Sequence, residues 1–172
     1  MFSTIYSWFS SFFGGDLHDY LAGYRFFEDI DQSFTCWYNM YGFIALGTAL
    51  LFMVTYYYFI NHPRLNKWWH WLIVLLIVGI INFIIGGAIT TGDLEAGDIS
   101  NYFVNNDQEV TEVTVGDMVD NISVTTSEGT ANISPGNCWM FGFANSLVSI
   151  LFFIIFSFAF KWWSSACKRT PF

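Results

Sequence analysis

Three long intervals without a charged side chain constrain this chain more than any other feature. No Asp, Glu, Lys or Arg occurs between Asp31 and Arg64, between Lys67 and Asp93, or between Glu128 and Lys161. Each interval accommodates about 20 consecutive apolar residues, the length of helix that crosses about 30 Å of hydrocarbon. Spans are expected at about Tyr38–Ile60, Trp69–Thr90 and Cys138–Phe160. Three buried helices of a water-soluble domain would each need a polar face, and LFMVTYYYFI, LIVLLIVGIINFII and LVSILFFIIFSFAF have none. Charged residues make up 12% of the chain, against roughly a quarter in soluble domains, which agrees with a membrane protein.

The charges that do occur are segregated. Arg64 and Lys67 lie between the first two spans, and Lys161, Lys168 and Arg169 follow the third, so three crossings bring both groups to one side. The positive-inside rule makes that side the cytoplasm, or the matrix or stroma of an organelle. All 14 acidic residues then fall outside, five before the first span and nine from Asp93 to Glu128, and only Arg25 breaks the separation. Trp37, Tyr38 and Trp139 are expected at the outer headgroup level; Tyr56, Tyr57, Tyr58, Trp68, Trp69, Trp71, Trp162 and Trp163 are expected at the inner one.

Ahead of the first span, MFSTIYSWFSSFF places Phe2, Ile5, Tyr6, Phe9, Phe12 and Phe13 on one helical face and Ser and Thr on much of the other, with Gly14-Gly15 as a stop. The pattern predicts an amphipathic helix lying in the membrane interface, the alternative being a contact with a partner subunit or a pore. It lacks the basic n-region and the A-x-A-like site of a signal peptide. DLHDYLAGYRFFEDIDQ then reads as a second short helix or turn, in which Asp16, His18 and Asp19 lack a second ligand cluster and read as a solvated surface.

From Asp93 to Asn137 the composition turns to Thr, Val, Asn, Asp, Glu and Gly. EVTEVTV and NISVTT alternate with period two, and SEGT suits a turn before ANIS, so a small β-rich cap is expected, too small to stand without leaning on its surroundings. Its carboxylates would draw cations or a basic partner to the outer face. Asp93, Glu95 and Asp98 resemble a fragment of a calcium loop, although the glycine and terminal Glu of an EF-hand are out of register. Asn121 and Asn132 open glycosylation sequons on the outer side.

Cys36 and Cys138 precede the first and third spans at similar depth, so a disulfide between them is expected to tie the cap to the bundle. Cys167 lies on the inner side, a lipidation candidate at most. Within the spans, Thr48 and Thr55 lie on a small and polar stripe with Gly42, Ala45 and Ala49. Asn82 lies on another with Gly79 and Gly86, and Asn145, Ser146 and Ser149 on a third with Gly142. Such stripes let helices approach and hydrogen-bond, and that use of Asn82 and Asn145 is expected ahead of lining a path. No acid, base or His lies deep in a span, which argues against a proton relay. His62 and His70 flank the inner turn as remote cofactor candidates, and a solvated histidine there needs no ligand.

The expected architecture is therefore a membrane all-α protein: an N-terminal interfacial segment (1–37), a transmembrane hairpin (38–90, turn 61–68), an acidic extracytoplasmic loop or cap (91–137), a third transmembrane helix (138–163) and a basic cytoplasmic tail (164–172). No catalytic constellation, resident cofactor, enzyme chemistry or nucleic-acid partner is expected from these residues. The expected role is a non-enzymatic subunit in a bacterial inner membrane or another energy-transducing or plasma membrane. Its first form is a homo-oligomeric pore with an acidic outer vestibule; the alternatives are an accessory or assembly subunit of a larger complex and, behind both, a cofactor-holding electron-transfer or light-harvesting subunit.

Overall fold

The computed structural model describes residues 2–23, 36–59, 68–105, 109–115, 118–126 and 129–163. Arg25, His62, Arg64, Lys67, Cys167, Lys168 and Arg169 lie outside the described residues. Three short helices, α1 (Phe2–Ser7), α2 (Ser10–Phe13) and α3 (Gly15–Ala22), precede α4 (Trp37–Val54), which continues as a π-helical turn over Thr55–Phe59. Then follow α5 (Trp68–Glu95), α6 (Asp98–Asn105), the strands β1 (Glu109–Val115), β2 (Met118–Thr126) and β3 (Gly129–Ile133), and α7 (Pro135–Trp163). Three helices are long and apolar enough to cross a membrane: Trp37–Tyr57, Trp68–Glu95 and Pro135–Phe160.

α5 and α7 run against each other at backbone distance. A Cβ placed on Gly142 would lie 2.6 Å from the Phe83 carbonyl oxygen and 2.7 Å from the Gly87 nitrogen. Gly79 likewise faces the side chains of Ser146 and Ile150. The small stripes thus mark the seam between these two helices, where each missing side chain lets the backbones close up. α4 meets α7 through larger groups, with Tyr41 edge-on to Phe141 at 4.9 Å between centroids. Towards the end of the bundle remote from the sheet, Ala49, Met53, Tyr56, Tyr57, Val78 and Phe153 form a second apolar cluster.

The stretch expected as one amphipathic helix up to Phe13 is two short ones, α1 and α2, with α3 as the short helix expected after the glycine stop, and the apolar side chains Phe2, Tyr6 and Phe13 are turned onto the chain's own bundle. Gly14, at φ +94°, breaks α2 from α3 in a conformation that L side chains rarely adopt. Phe2 lies directly over Gly42 of α4, where a Cβ would collide with its ring, and stands edge-on to Phe43 (5.1 Å) and Phe152 (6.1 Å). Tyr6 stacks on Tyr38, centroids 5.0 Å apart and planes 9° from parallel, while Phe13 meets Phe141 edge-on at 5.4 Å. Phe2, Tyr6 and Phe13 are buried, whereas Phe12 and Trp8 remain exposed. A groove floored by glycine and walled by rings offers these side chains close packing that a lipid surface lacks.

The antiparallel sheet has the order β1-β2-β3, with Thr126 opposite Gly129 across the hairpin and a register shift between Val113 and Thr114. Ile122, Val124 and Ile133 point into the main core beside Leu17, Leu21, Leu94, Ile99 and Phe103. Among the described residues the sheet thus shares its core with the helices. α6, absent from the sequence expectation, follows the left-handed Gly97 (φ +79°) and puts Ile99, Tyr102 and Phe103 into the same core.

The disulfide expected between Cys36 and Cys138 is not formed; both are free thiols. Cys36 caps α4, with its Sγ 4.0 Å from the Leu21 carbonyl oxygen. The Cys138 thiol is buried against the hydroxyls of Thr90 and Thr91. Each sulfur is thus engaged by its own surroundings.

Candidate functional site

The polar side chains of the three long helices converge inside the bundle. Asn82 of α5 donates through Nδ2 to Thr48 Oγ1 of α4 at 2.8 Å and to the Val78 carbonyl at 3.0 Å. Thr48 passes its own proton back to the Ile44 carbonyl at 2.9 Å, so its oxygen is left to accept. From α7, Asn145 donates to the Asn82 backbone carbonyl at 2.9 Å, and its Oδ1 accepts the Tyr6 hydroxyl of α1 at 2.6 Å. One string of hydrogen bonds therefore ties α4, α5, α7 and α1 together midway along the bundle. Asn82 Oδ1 remains buried without a partner, and the Val78 carbonyl, which can only accept, holds the amide in that orientation.

A second node sits at the end remote from the sheet. Ser157 Oγ receives the Trp71 indole N–H at 2.9 Å and shares a proton with the Tyr57 hydroxyl at 3.0 Å, joining α5, α7 and the π-helical turn. His70, nearby in sequence, is half-buried with Nδ1 lacking a hydrogen-bond partner.

The third node lies at the sheet end. Tyr20 of α3 donates to Asp93 Oδ2 in the last turn of α5 at 3.2 Å. Tyr102 of α6 donates to the Asp19 carbonyl at 3.1 Å, with the two tyrosine rings edge to face at 5.4 Å. His18 Nδ1 and the Tyr38 hydroxyl are 2.6 Å apart, clamping α3 to α4. Burial holds the His18 imidazole below its ordinary pKa. Burial first, and then the Asp93 charge, raise the Tyr20 phenol well above its ordinary value. Tyr41 is fully enclosed, and its hydroxyl has no hydrogen-bond partner.

The residues singled out from the sequence distribute unevenly over these nodes. Thr48, Asn82 and Asn145 meet in one network. Thr55 and Ser149 bond only to their own helices, to the Leu51 and Ser146 carbonyls, and Ser146 lies opposite Gly79. Asp93 and Glu95 stand two positions apart on a continuous helix, roughly 200° around its axis, so the calcium-loop resemblance does not become a ligand set. Among the described residues no group of three His, Cys, Asp or Glu side chains is placed to hold a metal ion. Asn132 Oδ1 accepts the Ser123 hydroxyl at 2.7 Å across the sheet, while Asn121 Oδ1 is buried without a partner. Sequence reasoning missed Tyr6 and Tyr20, whose rings read as apolar payload while their hydroxyls carry polar contacts. Comparison with protein-family models, curated proteins and solved structures returned no match.

Proposed function

We propose that this protein is a non-enzymatic, multi-pass membrane subunit that works by packing against other membrane helices, as an accessory or assembly component of a larger complex. One observation supports it above the rest: the polar side chains of the long helices are turned inward, and the outward faces are apolar. Asn82, Thr90, Asn145 and Ser149 are buried, whereas Ile73, Leu76, Ile77, Ile80 and Ile84 of α5 and Leu151, Ile155 and Phe158 of α7 are exposed. Such a surface suits lipid or a partner's helices, and a wetted wall would need polar groups that these faces lack. The N-terminal helices and the sheet belong outside in this reading and the basic segments in the cytoplasm, following the charge separation along the chain.

The homo-oligomeric pore stands as the second reading. It is favoured by the carboxylates of Asp16, Asp19, Asp93, Glu95 and Asp98, carried on the sheet-end helices α3, α5 and α6, where they would surround an outer mouth. Its path would run between apolar faces and be gated by dewetting. Native mass measurement in mild detergent, paired with ion flux from liposomes, separates the two. A defined foreign subunit at fixed stoichiometry, with ion-tight liposomes, is the outcome expected for the accessory role. Symmetric multiples of this chain with measurable flux would replace it with the pore.

A further inference from the structure

The first two helices run along α7 in the opposite direction to it. In the first turn of α7, Asn137 Nδ2 donates to the Phe13 carbonyl at 3.0 Å. Phe12 then stands 6.5 Å from Phe143, Tyr6 bonds Asn145, and Phe2 reaches Phe152 at 6.1 Å. From Asn137 to Phe152 is about 22 Å of helix at about 1.5 Å per residue. On the other side of the groove, Phe2 covers Gly42 and meets Phe43, both beyond the first turn of α4. Where α7 crosses a membrane, an element that follows it this far stands along the membrane normal, with Phe2 at its deep end and Phe13 at its shallow end.

The outward face of this element suits acyl chains. No charged side chain precedes Asp16. Thr4, Ser7, Trp8, Ser11 and Phe12 are exposed. Phe12 adjoins the exposed ring of Phe143 and Phe2 that of Phe43, so apolar surface continues from α2 onto α7 and from α1 onto α4. The Ser7 hydroxyl donates back to the Thr4 carbonyl and the Ser10 hydroxyl to the Ser7 carbonyl, both at 2.9 Å, as Thr55 does to the Leu51 carbonyl along the first span. A hydroxyl paired with its own helix loses little on leaving water. Between α1 and α2 the Phe9 N–H bonds the Tyr6 carbonyl and the Phe12 N–H the Phe9 carbonyl, both at 2.9 Å, so the chain turns on paired backbone groups, as hydrocarbon requires.

We propose that α1 and α2 form an upright wedge within the outer leaflet, seated in the α4–α7 groove, with the face carrying Thr4, Trp8 and Phe12 covered by lipid acyl chains. This placement rests on the membrane reading above and sharpens it: the first helices lie on the outer side, inside the leaflet and not above it. The orientation differs from that of an interfacial helix, which lies in the membrane plane.

Thr4, Ser7 and Ser11 share the outward face and report the tilt. A nitroxide is attached at Thr4→Cys, Ser7→Cys or Ser11→Cys in full-length protein carrying Cys36→Ala, Cys138→Ala and Cys167→Ser, reconstituted in phosphatidylcholine liposomes. Power saturation then compares collisions with oxygen, which concentrates in hydrocarbon, and with a water-soluble nickel chelate. The oxygen-to-nickel ratio should rise from Ser11 to Ser7 to Thr4, a depth difference of about 10 Å over seven residues. Equal ratios would mean a helix lying in the plane, and nickel access at all three positions a segment in water; either overturns the proposal. So would exclusion of both reagents, which would place a protein surface, such as a second copy, over this face. Leu51→Cys on the outward side of α4 is the control: a hydrocarbon signal there keeps failure of the wedge distinct from failure of the membrane reading, and nickel access there would overturn both. Should the cysteine-substituted chain unfold, wild type photolabelled by a lipid with a mid-chain diazirine answers the same question. Adducts within residues 2–13 support the wedge, and adducts on α5 with none there overturn it.

Discussion

The Tyr6 hydroxyl donates to Asn145 Oδ1 at 2.6 Å, joining residues 139 positions apart in the chain. Because both groups are buried, the bond specifies where α1 sits against α7 as well as adding to its affinity. Tyr6→Phe should cost about 1 kcal/mol, and Asn145→Leu more, because it also strands the Tyr6 hydroxyl and the Asn82 carbonyl. A double-mutant cycle by reversible unfolding in mixed detergent micelles should return a coupling of about 0.5–1.5 kcal/mol. Strict additivity would mean that α1 leaves this groove in solution.

Phe2 and Gly42 should behave as a lock and key. Gly42→Leu places a side chain where the Phe2 ring lies and should expel α1, and Phe2→Ala should suppress that effect by vacating the space. Maleimide labelling of a Tyr6→Cys reporter measures the change: slow in the parent, at least about tenfold faster with Gly42→Leu, and slow again with both substitutions, a swing equal to about 1.4 kcal/mol of local opening.

Two glycines in the long helices should respond oppositely to enlargement. At Gly142 a new side chain meets the backbone of α5, which cannot swing aside, so Gly142→Val should cost towards the top of the usual 1–3 kcal/mol for overpacking. At Gly47 nothing lies within 4 Å, and Gly47→Ala should be neutral or slightly stabilising through helix propensity. Equal losses at both sites, measured by thermal unfolding in detergent, would contradict the α5–α7 seam.

Acidification should loosen α3. Burial lowers the His18 pKa, so as pH falls below the ordinary histidine value of about 6.5 the unfolded chain takes up a proton that the folded chain resists. The stability contributed by neutral His18 is complete above that value and is lost as pH drops towards the lowered one. Tm measured against pH for wild type and for His18→Gln should converge in the acid range, with the variant showing the flatter curve. Parallel curves would show that His18 stays solvated.

The thiols offer a further check. With Cys36 half-buried and Cys138 enclosed, N-ethylmaleimide should modify Cys36 in the native protein and Cys138 only after unfolding, with no mass difference between reduced and untreated samples.

The long helices were legible because hydrocarbon thickness imposes a length that few other demands on a chain impose. Charge-free intervals consequently located α4, α5 and α7 to within about five residues, while the small-residue stripes, present on all three, marked the faces of the α5–α7 seam without naming which helices would pair. The strands were legible through the period-two pattern of EVTEVTV and NISVTT. α6 also had its signal, a glycine stop at Gly97 and then Ile99, Tyr102 and Phe103 at helical spacing, but it is eight residues long and bordered a stretch read as strands. Pairings between distant positions leave no local periodicity. Nothing near Gly42 announces that Phe2 will cover it, and nothing near Asn145 names Tyr6. The disulfide was misjudged for a related reason: equal depth along two helices says nothing about which way each sulfur points.

The seat of α1 has a consequence for how the chain is made. α1 precedes α7 in the chain, yet Phe141 and Asn145 of its seat belong to α7. At typical translation speeds the wait between Tyr6 and Asn145 is on the order of ten seconds. During that interval Phe2 and Tyr6 have only the α4 side of their seat, Gly42, Phe43 and Tyr38, to cover them, and a lipid headgroup boundary is a resting place that suits the rest of an amphipathic face. α1 can take its full seat only once α7 has been made, so an early part of the chain completes its packing late.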